Sequence, residues 1–311
     1  MGSQNGKPES GLESPLKAQQ STAVSSHFYS PPSQFDGCFT SFYHMALDVV
    51  DGGVVEDYLQ PEWGNIRFFA GATPTSQIGT SAISKARFNA TGPSSLPCNF
   101  KLGTSRMWGI GFLPLGWARF IDANAYDLAN TVCDGSAHDA FAKFDCLAEI
   151  LCDPDIDVED QFAEIVAVMD RLMQPNRDEA KIVRVHTALV SGEFQAVSDL
   201  SDACGMSIRT LERTCHRYFG FAPKLLMRRQ RFMRSLTRYM LRQRSRWTQA
   251  MDGEYHDQAQ FTREFREFMT MTPSAYAALD RPILASFMEA RARKWGSAAQ
   301  TLDQPVLDEA E

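Results

Sequence analysis

Two stretches fifty residues apart carry side chains suited to reading the edges of nucleic-acid bases. In the first, the apolar positions Ile208, Leu211, Cys215 and Phe219 recur at helical spacing. That spacing leaves Arg209, Thr210, Arg213, His216 and Arg217 on the remaining surface. In the second, Gln258, Gln260, Thr262, Arg263 and Arg266 are the corresponding candidates. Arginine bonds guanine through two donors and glutamine pairs with adenine in the same bidentate way. Ile208 can touch a thymine methyl if it faces a groove rather than the core, and Arg266 suits a phosphate. Each good bidentate pair is worth ~1–3 kcal/mol of discrimination. The chemistry implied is non-covalent recognition of duplex DNA.

Such side chains need helices held at fixed angles, and the flanking residues provide for that. Gly205 and Ser207 fit a tight turn followed by an N-cap. A shift of 50 residues superimposes Ser207 on Asp257, Leu211 on Phe261, Arg213 on Arg263, Tyr218 on Phe268 and Pro223 on Pro273. A cap, an apolar face, a basic position and a stop therefore recur in register. Ser207 and Asp257 are expected to cap their helices, a role costing ~1 kcal/mol if lost. Pro223 opens a long helix whose buried side is marked by Leu225, Leu226, Phe232, Leu236 and Tyr239.

The pattern Gly205-x-Ser207-x-Arg209-x-Leu211-x-Arg213, Gly220-x-x-Pro223, Arg228, Arg231, Tyr255-x-Asp257-Gln258-x-x-Phe261-x-x-x-Phe265 and Thr272-Pro273 resembles the tandem helix-turn-helix domain of the AraC/XylS family of bacterial transcription regulators. It covers roughly residues 180 to 280. Two positions depart from it: Glu254 stands where the family has a glycine, so that turn is expected to run through Gly253, and Cys215 replaces a phenylalanine. The resemblance implies that the Pro223 helix is a rod joining two modules, which reach groove segments about one DNA turn apart. It also implies promoter DNA and RNA polymerase as partners, a small-molecule effector, a possible homodimer, and activation rather than repression. A cytoplasmic, nucleoid-associated protein without cofactor or enzymatic activity follows from the same likeness.

The net charge of −7 at first argues against nucleic acid, but its distribution reverses that inference. Residues 184–280 carry 15 Lys and Arg against 10 Asp and Glu, while residues 205–246 carry 12 basic residues against the single acid Glu212. A basic block inside an acidic chain is an electrostatic footprint for phosphate.

The expected fold is multidomain α and β. A β-rich N-terminal sensing domain, sandwich- or barrel-like with a helical extension, would precede an all-α tandem helix-turn-helix domain. Residues 1–26 are polar and read as a disordered lead. Residues 27–173 form the effector-binding or dimerisation domain, β-rich to about 120 and helical from Asp122. A polar break at 174–178 is the linker, 179–280 the DNA-binding domain, and 281–311 a C-terminal helix with an acidic tail expected to fray. The segment from Trp108 to Trp117 resembles a Phe-x-Pro-x-Gly element of one subgroup of such regulators and is expected to be a strand ending in a proline turn. Phe162, Ile165, Val166, Met169 and Leu172 make a helical stripe, either core or a dimer seam.

Other chemistries fare poorly. Gly109-x-Gly111 lacks the third glycine of a nucleotide loop, and no Gly-x-Ser-x-Gly nucleophile turn occurs. His27, His44 and His138 are scattered, without the carboxylates a metal-binding cupin needs, so an enzyme or metal domain carrying a vestigial DNA-binding module is the rival in another class. A constitutive architectural binder without effector is the third. Asp153, Asp155, Asp157 and Glu164 mimic a calcium loop, but Val158 occupies the obligatory glycine place, so a helix with acids at its positive end is expected. Seven cysteines without a Cys-x-x-Cys pair read as reduced thiols of a cytoplasmic protein. With 44% hydrophobic residues, no apolar run near 20 residues and no basic-then-apolar start, neither a membrane span nor a secretory signal is expected. Met1-Gly2 also lacks the Ser or Thr that a myristoylation signal wants at position 6, where Gly6 sits.

Overall fold

In the computed structural model, which describes residues 22–241, 247–296 and 298–305, the Gly- and Pro-punctuated half of the chain builds two antiparallel sheets. In chain order the strands are β1 (Thr22–Tyr29), β2 (Phe39–Val49), β3 (Val55–Leu59), β4 (Asn65–Gly71) and β5 (Thr75–Ile78). β6 (Ser81–Ser84), β7 (Phe88–Thr91), β8 (Cys98–Leu102), β9 (Ser105–Phe112) and β10 (Val132–Asp134) follow. One sheet has the order β1-β2-β9-β4-β7-β10 and the other β3-β8-β5-β6. The larger sheet is buried on both faces. Tyr43, Met45 and Leu47 of β2 join Phe69, Phe100, Leu102 and Met107 in one cluster, whereas Phe42 joins Ile66, Trp108 and Ile110 in another. That explains why these strands read as apolar runs rather than clean alternation.

The helices are α1 (Pro114–Phe120), α2 (Cys146–Leu151), α3 (Val158–Leu172), α4 (Glu179–Ser191), α5 (Val197–Ala203) and α6 (Ile208–Thr214). Then come α7 (Pro223–Leu241), α8 (Trp247–Ala250), α9 (Gln258–Met269), α10 (Pro273–Ala277) and α11 (Pro282–Trp295). Asp157 caps α3 by accepting the Glu159 N–H, so the acids of the calcium-like run include a helix cap. The α3 stripe lies on the larger sheet. Ile165 and Met169 are buried, Phe162 stacks on Tyr29 at 4.5 Å, and Gln161 accepts the Trp108 indole N–H at 2.6 Å. Ile165 and Met169 of the stripe are core, while Phe162, Val166 and Leu172 remain half-buried.

Four expectations need correction. Residues 22–26, assigned to a disordered lead, form the first half of β1, because β2 offers a ladder from Thr22↔Val49 to Ser26↔Met45 that satisfies their backbone. The rest of that lead, residues 1–21, lies outside the described residues. Asp122–Cys152 is mostly turns around β10, with only the short α2 as α-helix. Asn130 adopts a φ of 56°, and Gly135 lies so close to Phe88 that an added Cβ would meet its ring at 2.4 Å; neither suits a continuous helix. After β9, Pro114 begins α1 instead of a proline turn, since its fixed φ suits a first helical position. Gly116 brings that helix against the Cys38 carbonyl, where a Cβ would stand 1.9 Å from the oxygen.

The fourth correction concerns domain independence. The larger cluster runs without a break from the outer face of the sheet into Ile182, Val185 and Leu189 of α4, Leu200, Leu211, Phe219 and Leu226. The first half of the helical region thus shares a core with the sandwich. Residues 174–178 are pinned rather than free: the Gln174 N–H donates to the Arg119 carbonyl, Asn176 to that of Ala118, and Arg119 pairs with Glu179 at 2.6 Å. A separate cluster of Phe232, Leu236, Tyr255, Phe261, Phe265, Phe268 and Tyr276 supports the second half.

The C-terminal helix also returns to the sandwich. Ile283 and Phe287 of α11 enter the inter-sheet cluster, and buried Asp57 of β3 accepts the Ile283 and Leu284 N–H groups at 2.7 and 3.0 Å. Helix α11 has its anionic cap supplied from another domain. The tail is ordered beyond it: Ala298, Ala299 and Thr301 are buried, and Arg291 holds Asp303 at 2.6 Å. Residues 306–311 lie outside the described residues.

Candidate nucleic-acid interface

Each module is a short helix, a turn and a capped second helix. In the first, α5 meets Gly205 in the left-handed region at φ 61°, and Ser207 caps α6 by accepting the Thr210 N–H. Leu211 and Cys215 are fully buried, while Ile208 is 48% exposed, which settles its orientation toward solvent. Arg209 and Arg213 share that exposure. After Thr214 the helix continues as a π-helical turn over Cys215–Phe219 and stops at Gly220, φ 83°.

In the second module, Asp257 caps α9 by accepting the Gln260 N–H at 2.6 Å. Gln260 reaches back to accept the His256 N–H at 3.2 Å, a reciprocal cap. Phe261, Phe265 and Phe268 are buried, leaving Gln258, Arg263 and Arg266 exposed. The turn before α9 runs from Asp252 to Tyr255, closed by the Tyr255 N–H on the Asp252 carbonyl. Neither Gly253 nor Glu254 has a positive φ, so the missing glycine carries no backbone strain.

The candidate residues therefore separate. Ile208, Arg209, Arg213, Arg217, Gln258, Arg263 and Arg266 stand on two outward faces. Thr210 bonds the Ser207 hydroxyl, Gln260 serves the cap, and the Thr262 hydroxyl donates to the Gln258 carbonyl at 2.8 Å. His216 lies against the sandwich domain. Its ring stacks on Tyr126 at 4.8 Å, and the carbonyls of His216 and Arg217 accept the N–H groups of Tyr126 and Ala125. No periodic or compositional signal marks Tyr126, because its loop is irregular.

The basic block has two populations. Along α7, Arg228 pairs with Glu264 at 2.9 Å and also with Glu267, Arg231 pairs with Glu264 at 2.7 Å, and Arg234 pairs with Asp252 at 2.8 Å. The Glu267 hydrogen bond first, and Glu264 with it, holds the Arg228 guanidinium above its usual range. These charges fasten the second module to α7, so the count of basic residues overstates the charge offered to phosphate. Among the described residues Arg229 is buried without a carboxylate, its guanidinium 3.9 Å from the Trp63 ring and donating to the Ser94 carbonyl at 2.8 Å. Burial pushes neighbouring His186 down to about 3, with Arg229 adding to the effect, so that imidazole is neutral. Arg209, Arg213, Arg217 and Lys224 form the outward population, while Arg242, Arg244 and Arg246 lie outside the described residues.

Beside α6 an open cleft of about 530 Å³ is lined by Arg177, Asp178, Lys181, Arg213, Arg217 and Tyr218. Arg177 and Lys181 fall in or next to the polar break read as a linker, so the sequence pattern gave no reason to choose them. Among the described residues, no group of three or more His, Cys, Asp and Glu is placed to hold a metal ion, and no helix is long and apolar enough to cross a membrane. The seven cysteines are free; burial raises Cys38 to about 11 and Cys98 to about 12, which keeps both as thiols.

Two capped helix-turn-helix units on one connecting helix define a DNA-binding module. Residues 200–278 match a family model described as a helix-turn-helix domain. No curated protein matches the chain. Among solved structures the chain is similar to ToxT from Vibrio cholerae at 1.65 Å, with 10% identity, a TM-score of 0.41, and coverage of 83% of this chain and 98% of that one. A structure of ToxT with bound unsaturated fatty acid gives 10% identity, a TM-score of 0.37, and 82% and 94% coverage. The AraC-like transcriptional activator CuxR gives 15%, 0.25, and 68% and 85%. At such low identity, function has to be argued from the chain's own residues.

Proposed function

We propose that the chain is a sequence-specific transcription regulator, acting as an activator, in which α6 and α9 read two adjacent major-groove segments under control of the sandwich domain. The repetition of one capped module on a single rod, with Ile208 and Arg209 outward at the start of one second helix and Gln258, Arg263 and Arg266 outward on the other, carries this reading. A recognition helix presents its early turns to base edges, where arginine and glutamine discriminate guanine and adenine. Promoter DNA and RNA polymerase are its partners in that role.

The sandwich supports a sensing role through a mainly apolar cavity between the sheets. It is lined by Met45, Phe69, Phe100, Met107 and, from α11, Ile283 and Phe287, with Asn89 among its polar groups. Arg67 reaches it, but its charge is already met by Glu62 at 2.6 Å and by the Tyr43 hydroxyl. An effector that fits the cavity is mainly apolar, with the buried Asn89 side-chain oxygen placed to accept a hydrogen bond from it. Ile283 and Phe287 of α11 line the cavity, so an occupant that displaced them would favour one arrangement of the C-terminal region over another.

Selection of duplexes from a random pool by the full-length chain, at two salt concentrations, tests the DNA reading. One motif with two blocks about ten base pairs apart is expected. Binding that is blind to sequence and vanishes with salt would leave only the phosphate term and reject sequence-specific regulation.

A further inference from the structure

The outward cations of the first module are not all placed alike. Ile208 and Arg209 lie at the start of α6, whereas Arg213 and Arg217 lie toward its far end and share the cleft with Arg177 and Lys181. The cleft's only carboxylate among the described residues is Asp178, bonded by Lys181 at 2.6 Å and by the Tyr218 hydroxyl at 3.0 Å. Among the described residues Arg177, Arg213 and Arg217 form no ion pair, in contrast to Arg228, Arg231 and Arg234 on α7. Four cations face one partly neutralised acid around an open, polar concavity.

We propose that this cleft grips the phosphodiester backbone of the duplex that α6 reads, so that Arg177 and Lys181 extend the DNA interface beyond the helix-turn-helix. Arg213 and Arg217 then hold phosphate, and base discrimination by the first module rests on Ile208 and Arg209. The assignment depends on the DNA-binding function proposed above. It follows from the order of groups along the helix: base edges are met by a recognition helix's early residues, and the backbone by cations flanking it. The cleft is continuous with that face through Arg213, so one duplex can meet both. Arg177 and Lys181 stand on the segment tied to Arg119 and α1, so their positions are set by the sandwich domain as well as by the module.

Counterion release provides the test. The logarithm of affinity falls with the logarithm of salt at a slope of about −0.9 per phosphate contacted. Full-length wild type, Arg177→Gln/Lys181→Gln, Arg213→Gln, Arg209→Gln and the remote control Lys101→Gln are titrated against a random-sequence duplex over a salt series. The double variant is expected to flatten the slope by about 2 and Arg213→Gln by about 1, with Lys101→Gln unchanged. In selection from a random pool, the double variant and Arg213→Gln should return the wild-type motif, whereas Arg209→Gln should relax one position. A wild-type slope in the double variant overturns the proposal. So does an altered motif with Arg213→Gln. Thermal stabilisation of wild type but not of the double variant by inorganic pyrophosphate, with unchanged DNA slopes, would assign the cleft to a small free anion and also overturn it. If wild type binds no duplex at any salt, the regulator function fails and takes this assignment with it.

Discussion

The ring of Tyr126 lies flat on that of His216, centroids 4.8 Å apart and planes 2° from parallel, so a loop of the sandwich domain clasps the end of the first recognition helix. Tyr126 is 54% exposed, so its truncation spares the core. Tyr126→Ala is expected to remove a stack worth ~0.5–1.5 kcal/mol. The amide protons of residues 125 and 126, which bond the carbonyls of Arg217 and His216, should exchange faster. Unchanged exchange there would show that the stack holds nothing in place.

The helix caps can be weighed separately because the two modules rest on different cores. Ser207→Ala and Asp257→Ala should each cost about 1 kcal/mol, read from urea denaturation midpoints. Loss of Asp257 should speed exchange along α9 more than along α6. Equal loosening of both helices would contradict separate support.

Base preference should divide between the modules. Arg263→Gln is expected to cost ~1–3 kcal/mol on the selected duplex and to relax one position of the second block only. Motif recovery with both blocks intact would place Arg263 off the bases.

Asp57 gives a pH dependence of definite sign. Burial raises its carboxyl to about 6, although backbone N–H groups of Tyr58, Leu284 and Ile283 pull the other way. A folded value above the unfolded one means that its contribution to stability is complete below the unfolded value near 4 and is lost as pH rises through about 6. Comparing denaturation midpoints at several pH values, wild type should lose stability relative to Asp57→Asn between those limits. Parallel curves for the two proteins would rule out that titration.

Arg229 carries a buried charge with no carboxylate partner among the described residues, and burial holds its guanidinium below the usual range. Exchanging a buried ion for an apolar side chain of similar length is often neutral or stabilising. Arg229→Met is expected to leave the thermal midpoint unchanged or higher, despite loss of the Trp63 contact and the Ser94 hydrogen bond. A marked drop would show that those two contacts outweigh the desolvation of the charge.

Much of the helical half was legible because its determinants are local. The caps at Ser207 and Asp257, the stop at Gly220 and the spacing of Leu211, Phe261 and Phe265 each act within a few residues. The features that escaped join distant parts of the chain. Nothing near Asp57 announces that it caps a helix beginning at Pro282, and nothing in Thr22–Ser26 shows that β2 will pair with it. The basic block misled for the same reason, since Glu264 and Asp252, which neutralise much of α7, stand well downstream. Candidate residues were read at the level of the face but not of its occupancy: Gln260 and Thr210 have polar side chains at the right spacing and use them on their own caps.

The unequal division of cores has a mechanical consequence. The first recognition helix is embedded in the same packed mass as the sandwich, whereas the second rides on its own cluster at the far end of α7. The pair behaves as a caliper with one jaw cast into the handle. Strain that an occupant of the inter-sheet cavity put on α11 would reach α7, to which the segment after α11 is bonded through Gln230 and the Thr301 carbonyl. Sensing would then act on the helix that sets the gap between the two half-sites.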